Sequence, residues 1–181
     1  MFTHKIIDSS QNYWHSPNFL LQKFPADGFK ATVKLSFKPV MYGESCGLII
    51  FGSDYAFLSM LRKADGNYLS STQYNNADKG NKPTVQDGEK INSTDIYFRV
   101  TVCRGAACKF SYSEDGKIFN PFGGRLRPNP DDLPGAKLDL FCSSTGKAND
   151  AGFADIDWFR IELKDQEKNK HFIKSGRWLF E

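Results

Sequence analysis

Residues 29–38 (FKATVKLSFK) alternate between apolar and polar side chains without a break. Successive side chains of a β-strand point to opposite faces, so this pattern predicts a strand with one face against a core and the other in water. The segment from Cys108 to Asn120 adds an alternation that runs into Asp115 and Gly116, a dipeptide favoured in tight hairpin turns. Both patterns predict antiparallel β-structure.

Strand patterns recur along the chain between short turn signals. The further segments are 46–51, 55–61, 68–74, 96–103, 118–122, 136–143 and 153–163. Residues 75–95 are polar and rich in Gly, Asn and Lys, which predicts a long loop with room for one edge strand. Residues 125–134 carry three prolines, which excludes them from a central strand.

About ten strands joined by short turns predict an all-β fold, a two-sheet antiparallel sandwich of jelly-roll type. Nothing in the sequence divides it, so residues 1–181 are expected to form a single domain. Residues 164–174 show a weak helical period and are predicted to begin a solvated tail, with apolar residues of 171–180 docking back on the sandwich.

The composition argues against two classes of partner. The 24 basic and 21 acidic residues are mixed along the chain and give a net charge of +3, so nucleic-acid binding has no electrostatic footprint. No apolar run approaches the roughly 18 residues that span a bilayer, and residues 1–10 lack the apolar stretch of a signal peptide. The high aromatic content, with 16 Phe, 7 Tyr and 3 Trp, suits both a sandwich core and a sugar-stacking surface.

No local motif of a hydrolase is present, and the three histidines, at positions 4, 15 and 171, are scattered. The sequence therefore assigns no catalytic residue. Planar aromatic side chains outside the core pattern are the candidates for stacking on sugar rings, and for each of them a structural role at an end of the sandwich is the alternative. These candidates are Trp14, Tyr42, Tyr68, Tyr74 and Trp178.

Two carboxylates stand out in the last strand pattern. On a regular strand Asp155 and Asp157 would share a face with Phe159 and Ile161, and a carboxylate among core residues must be hydrogen-bonded, neutralised or bound to a hard cation. Three explanations stay open: a β-bulge or hydrogen-bonded pair that removes the conflict, a structural calcium ion held by the two aspartates, and a direct functional role.

The four cysteines show neither CxxC spacing nor histidine partners, which makes a zinc site improbable. Cys103 and Cys108 flank a turn and could form a disulfide. However, the predicted register places Cys108 opposite Val102, which favours free, buried thiols.

Seven segments, taken in order, resemble one family. They are PNFLLQKFPA (17–26), ATVKLSFKP (31–39), GLIIFGSDYAFLSM (47–60), YFRVTV (97–102), CKFSYSEDGKIFNPFG (108–123), GAKLDLFC (135–142) and NDAGFADIDWFRIE (149–162). This set is similar to the C-terminal concanavalin A-like β-sandwich of glycoside hydrolase family 43, the xylosidases and arabinofuranosidases, over residues 12–162.

The resemblance implies a division of labour. In this family the sandwich follows a five-bladed propeller of the same polypeptide, and the propeller holds the catalytic carboxylates. The chain itself would then be non-catalytic and part of a larger glycosidase. The parent protein would be an O-glycosyl hydrolase acting on xylan or arabinoxylan, in the extracellular space or periplasm, with the cytoplasm left open. No cofactor is required, and calcium at Asp155 and Asp157 is the one metal considered.

The resemblance also implies substrate-facing residues. In the family a loop just before a Gly-Ala pair sends an aromatic side chain toward the mouth of the active site. Here the pair is Gly135 and Ala136, and Leu133 stands at the place of the aromatic. The expected substrate-binding set is Arg127, Asp131, Asp132 and Leu133 with Trp14 and Tyr74.

Three competing functions are therefore considered, and each predicts a different kind of surface. An accessory domain would expose an apolar docking surface near residues 125–134. An autonomous carbohydrate-binding module would have a groove with two or more solvent-facing aromatic side chains. A sandwich that binds other proteins is the third alternative, because this architecture hosts many functions.

Overall fold

The structure, a computed structural model, describes residues 1–5, 13, 22–128, 136–145 and 152–163. In these ranges no helix is long and apolar enough to cross a membrane, and the regular elements are strands apart from 3₁₀ conformation at Tyr13 and at Ala77–Lys79. The strands are β1 (His4–Lys5), β2 (Gln22–Lys23), β3 (Phe29–Lys38), β4 (Ser45–Phe51), β5 (Tyr55–Lys63), β6 (Gly66–Tyr74), β7 (Thr84–Ile91), β8 (Asp95–Cys103), β9 (Ala107–Ser113), β10 (Asn120–Leu126), β11 (Lys137–Ser144) and β12 (Phe153–Leu163).

The strands form two sheets that pack face to face. One sheet has seven strands in the order β1-β11-β4-β5-β6-β7, with β2 pairing with β11 beside β1. The other has five strands in the order β10-β9-β8-β3-β12. All described pairings are antiparallel except that of β1 with β11. The predicted two-sheet sandwich is confirmed, and β7 is the edge strand allowed for in residues 75–95.

The core lies between the two sheets and follows the alternation of the sequence. On β3 the apolar residues from Phe29 to Phe37 are fully buried, whereas Lys30, Lys34 and Lys38 on the other face are not. The facing side chains of the seven-stranded sheet include Leu48, Ile50, Ala56, Leu58, Met60 and Leu69. Fully burying an aliphatic or Phe side chain contributes about 1.5–3 kcal/mol each, so this interface is the main source of stability.

A β-bulge in β12 removes the predicted conflict between aspartates and core. Ile156 pairs with Leu35 and Trp158 with Lys34, which leaves Asp157 as the extra residue. Ahead of the bulge Ala154 and Ile156 pack on the core, and after it Phe159 and Ile161 do so. The side-chain period therefore changes at Asp157, as a bulge requires. The regular-strand expectation is wrong, and the bulge explanation is the one observed.

The hairpin β9–β10 is wider than predicted. Asn120 pairs with Tyr112, so the connection runs from residue 114 to 119 rather than through a two-residue turn. Asp115 organises this loop: its carboxylate accepts the N–H groups of Lys117 and Ile118 and the hydroxyl of Ser113. These bonds lower the pKa of Asp115 to about 2. The tight Asp-Gly turn and the strand bounds 118–122 are thus corrected.

Residues 1–5 connect the two sheets. Met1 and Ala154 exchange backbone hydrogen bonds, and Phe2 forms a bridge with Phe153 at the edge of the five-stranded sheet. His4 and Lys5 then pair with β11 of the other sheet. This segment closes one end of the sandwich, the end where β3 passes into β4.

Candidate binding groove

The outer face of the seven-stranded sheet carries a second apolar cluster, separate from the core. Its members are Tyr13, Ile49, Tyr55, Phe57, Tyr74, Ala77 and Phe141, with Phe51 packed at the side. The rings of Tyr55 and Tyr74 stack at 4.6 Å, and Tyr13 meets Phe57 edge-on at 5.4 Å. Ile49, Tyr55, Phe57, Tyr74 and Phe141 occupy outward positions of their strands, and Tyr13 and Ala77 pack on them from outside the sheet.

A groove of about 450 Å³ lies beside this cluster on the same outer face. This size falls within the range of small-molecule sites. Its lining residues are Tyr13, Tyr42, Gly43, Ser45, Phe57, Ser59, Leu61, Arg62, Lys63, Ser70, Thr72, Tyr74, Pro83, Val85, Ser143 and Thr145. We call this feature the outer groove.

The floor of the outer groove is made of small hydroxyl side chains. Ser45 lies opposite Ser143 across β4 and β11, and Ser59 lies opposite Ser70 across β5 and β6. These serines, with Thr72 beside them, are all buried. The Ser59 hydroxyl donates to the carbonyl oxygen of Ser70 at 3.4 Å, and the hydroxyls of Tyr13 and Ser143 share a hydrogen bond of 2.6 Å.

Tyr42 forms the exposed rim of the groove, with 71% of its surface accessible. It precedes Gly43, whose φ of +83° is a conformation that residues with a Cβ rarely adopt. A Cβ at Gly43 would also lie 2.3 Å from the Thr145 hydroxyl oxygen, which itself donates to the carbonyl of Tyr42 at 3.4 Å. Glycine therefore permits the close approach that places Tyr42 at the rim.

Charge is sparse in the outer groove, and none of its lining residues is acidic. Lys63 forms an ion pair with Asp87 at 3.1 Å and lies over the ring of Tyr68. Arg62 has no ion-pair partner among the residues that the structure describes. Burial raises the pKa of Tyr13, so its phenol stays neutral and acts as a hydrogen-bonding group. The described lining of the groove is thus hydroxyl-rich and aromatic, and it contains no carboxyl group.

The comparison with protein families decides the identity of the sandwich. A family model described as the beta xylosidase C-terminal concanavalin A-like domain matches residues 5–162. The chain belongs to this family. The expected resemblance is confirmed, and the matched region begins at Lys5, ahead of the range from 12 to 162 predicted from the sequence.

Several solved structures that match the fold of this chain are GH43 proteins. The bifunctional GH43-CE protein of Bacteroides eggerthii superposes with a TM-score of 0.76 at 21% identity, covering 91% of this chain and 21% of that one. The GH43 BlXynB protein of Bacillus licheniformis gives 0.71 at 18%, covering 91% and 32%. A xylan beta-1,4-xylosidase of Bacillus halodurans gives 0.67 at 15%, covering 80% and 29%. The chain thus spans about a fifth to a third of these proteins, and no curated protein matches it.

Only two residues of the expected substrate-binding set, Tyr74 and Arg127, lie in the described part of this GH43 C-terminal domain. Tyr74 lines the outer groove but is only 5% exposed, as part of the aromatic cluster. Arg127 is exposed after β10, at the opposite end of the sandwich from Tyr42. The remaining expected residues, Trp14, Asp131, Asp132 and Leu133, lie outside the described residues, as does Trp178.

Of the other two described candidates for sugar stacking, one lines the groove and one does not. Tyr42 lines the outer groove, whereas Tyr68 bonds Asp65 through its hydroxyl at 2.7 Å and lies outside the lining. The hydroxyl floor was not predicted from the sequence. Its only signal is that serines occupy outward positions of adjacent strands, which is also ordinary for a solvated sheet face.

The expected docking surface near residues 125–134 has no counterpart in the described part of that segment. Leu126 is buried, Arg127 is exposed, and residues 129–134 lie outside the described ranges. A hollow of about 300 Å³ lies at this end, between residues 23–27 and Gly105, Ala106 and Ala136. Large exposed apolar side chains lie mostly elsewhere; they are Met1, Phe2, Val40, Met41, Tyr42, Val85, Ile118 and Leu163.

Asp155 and Asp157 lie on the outer face of the five-stranded sheet. Asp157 pairs with Lys34 at 2.7 Å and Asp155 with Lys38 at 3.2 Å, and both aspartates are exposed. Within the described ranges no three His, Cys, Asp or Glu side chains are grouped so that they could hold a metal ion. The calcium expectation is not tested by this geometry, but a lysine partner on each carboxylate favours a pair that needs no metal ion.

None of the four cysteines forms a disulfide bond. Val102 pairs with Cys108, as the predicted register requires, and Cys103 pairs with Ala107. The disulfide between Cys103 and Cys108 is therefore not formed. Cys108 donates to the carbonyl of Ala106 at 3.1 Å, and burial raises its pKa to about 12.

Proposed function

We propose that the chain is a non-catalytic accessory sandwich of a family 43 glycoside hydrolase acting on xylan or arabinoxylan. In this proposal it supports a catalytic five-bladed propeller of the same polypeptide and contributes to the surroundings of its substrate pocket. The observation that carries it is the family match over residues 5–162, in proteins of which this chain spans only a fifth to a third.

The chemistry of the described residues supports a non-catalytic role. Glycoside hydrolysis generally needs two carboxyl groups that flank the scissile bond. No acidic residue lines the outer groove. Asp155 and Asp157 are two neighbouring carboxylates, but they lie on the other sheet. Each is exposed and forms an ion pair with a lysine. A sugar bound in the groove would therefore meet no carboxylate among the described lining residues.

The two alternative functions stay predictions. A module that binds sugar on its own would present two or more solvent-facing aromatic side chains, and among the described lining residues Tyr42 alone is aromatic and exposed. A protein-binding sandwich has no specific contact in its favour. The site of action, in the extracellular space or periplasm or in the cytoplasm, also stays a prediction.

The first test is catalysis by the purified chain. With aryl xylosides and aryl arabinofuranosides, we expect no release of nitrophenol above a boiled control. Release proportional to the concentration of the chain would contradict the proposal.

The second test is support of a propeller. We would replace the sandwich of the Bacillus licheniformis GH43 protein with this chain and compare the chimera with the same protein truncated after its catalytic domain. The chimera should have a higher melting temperature and more activity than the truncated form. A chimera no better than the truncated form would contradict the supporting role.

A further inference from the structure

We propose that the outer groove binds a short, neutral oligosaccharide. In this proposal Tyr42 stacks on one sugar ring, and the hydroxyls of Ser45, Ser70 and Thr72 hydrogen-bond sugar hydroxyls along the floor. The choice of a sugar as ligand rests on the proposed function, whereas the position of the site rests on the groove alone. None of the described lining residues belongs to the segment before Gly135, which the family resemblance associates with the substrate.

The floor hydroxyls carry the first argument. Ser45, Ser70 and Thr72 are only 7%, 3% and 8% exposed. Their hydroxyls make no side-chain hydrogen bond to any residue that the structure describes. Their oxygens are not among the fully enclosed, unpartnered polar atoms of the described residues, so they stay open to the groove, where water or a ligand can bond them. A hydroxyl both donates and accepts, which matches the hydroxyls of a sugar.

The rim carries the second argument. Tyr42 is the most exposed ring of the groove, and the bond from Thr145 and the turn at Gly43 hold its backbone against the groove. An exposed planar ring beside a hydroxyl-lined floor provides an apolar surface and a polar surface at once. A sugar ring has the same two surfaces, with C–H groups on its faces and hydroxyls at its edge.

The charge distribution indicates a neutral ligand. Lys63 is already paired with Asp87, so Arg62 is the only cation of the lining without an ion-pair partner among the described residues. One guanidinium can donate to ring or hydroxyl oxygens of a neutral sugar. A chain with a charge on each unit would need a series of cations that the lining does not provide.

The dimensions indicate a short chain rather than one ring. The lining residues come from β11, β4, β5, β6 and β7, so the groove crosses five adjacent strands. Four inter-strand spacings of about 4.8 Å give a length of about 19 Å. The ligand would lie across the strands, with one end near Ser143 and the other near Val85.

Titration of the purified chain with neutral oligosaccharides tests this proposal. The probes are xylotetraose, arabinotetraose and cellotetraose, with a tetragalacturonate as the charged comparison, followed by NMR of the backbone amides and by calorimetry. We expect at least one neutral probe to shift signals of the groove strands and to bind more tightly than the galacturonate. Tyr42→Ala should weaken binding about tenfold, and Ser70→Ala about fivefold, the effect of losing one ring contact or one hydrogen bond.

Val40→Ala is the matched control, because Val40 is 72% exposed in the same loop but does not line the groove. It should bind like the unaltered chain, and all variants should show the same melting temperature within error. The proposal is overturned if no neutral probe shifts a groove signal at millimolar concentration, if the charged probe binds more tightly, or if Tyr42→Ala binds normally. Those outcomes leave the chimera experiment unaffected, so the two proposals can fail separately.

Discussion

The carboxylate of Glu44 accepts the backbone N–H of Gly152 at 2.6 Å and so joins the loop before β4 to the start of β12. The same oxygen accepts the hydroxyl of Thr3 at 2.7 Å. Its other oxygen accepts the N–H groups of Val40 at 2.5 Å and Met41 at 2.8 Å. One fully buried side chain therefore holds three separate segments of the chain together.

Glu44→Gln should destabilise the domain by at least about 2 kcal/mol, because the new amide group would face two hydrogen-bond donors and leave them unpaired. The measurement is the free energy of unfolding in urea. Glu114→Gln, at an exposed position of the β9–β10 loop, is the control and should change it by less than about 0.5 kcal/mol. Equal effects of the two substitutions would show that the network at Glu44 is not important.

The stability of the domain should depend on the charge of Glu44. Burial alone would raise the pKa of this carboxyl, but the hydrogen bonds from Met41, Thr3, Gly152 and Val40 outweigh burial and lower it. A folded pKa below the unfolded value of about 4.3 means that the contribution is complete above that pH and is lost as the pH falls through the folded pKa. Unfolding free energy should therefore fall more steeply with acid in the unaltered chain than in Glu44→Gln. Parallel curves below about pH 4.3 would contradict this.

Calcium should leave the melting temperature unchanged. Calcium takes six to eight oxygen ligands, whereas Asp155 and Asp157 face solvent and already have lysine partners. Melting in excess calcium is compared with melting in a chelator at equal ionic strength. A calcium-dependent rise that disappears in Asp157→Asn would establish the metal site instead. Asp157→Asn without calcium should cost less than about 1 kcal/mol, as for an exposed ion pair.

A thiol-labelling reagent should react faster with Cys103 than with the other three cysteines. Cys103 is half-buried, whereas Cys46, Cys108 and Cys142 are buried, and burial raises the pKa of Cys46 and of Cys108. Because the thiolate is the reactive form, one thiol should react quickly in the native chain and all four after denaturation. Cys103→Ser should remove the fast phase. Two fast phases, or fewer than four thiols after denaturation without reductant, would contradict the assignment.

The strands were predictable where a regular period dictates the structure. β3 was predicted with its observed bounds, because its alternation is unbroken from Phe29 to Lys38. The side of the sheet on which Asp157 lies was not predicted. A β-bulge inserts one residue into the strand and reverses which side chains face the core, and no change in composition signals it. The length of the β9–β10 loop was also missed, because Asp115 bonds the backbone ahead of it and stabilises a wider connection than a two-residue turn.

The outer groove was only partly predictable. Tyr42 and Tyr74 were candidates because they interrupt the core pattern, and both line it. Ser45, Ser59 and Ser70 come together from three strands through the register of the sheet, which no local pattern encodes. The burial of Tyr74 depends in turn on its stacking with Tyr55 across β5 and β6, a contact that only the folded sheet provides.

The pairing of residues 1–5 with Gly152, Phe153 and Ala154 on one sheet, and with β11 on the other, has a consequence for folding kinetics. These residues leave the ribosome before their partners, so the end that they close has to remain open until translation has passed residue 154. Contacts between such distant parts of the sequence slow folding. During that interval the half-formed sandwich leaves an edge of its core uncovered, and transiently exposed apolar surface of this kind is prone to aggregation.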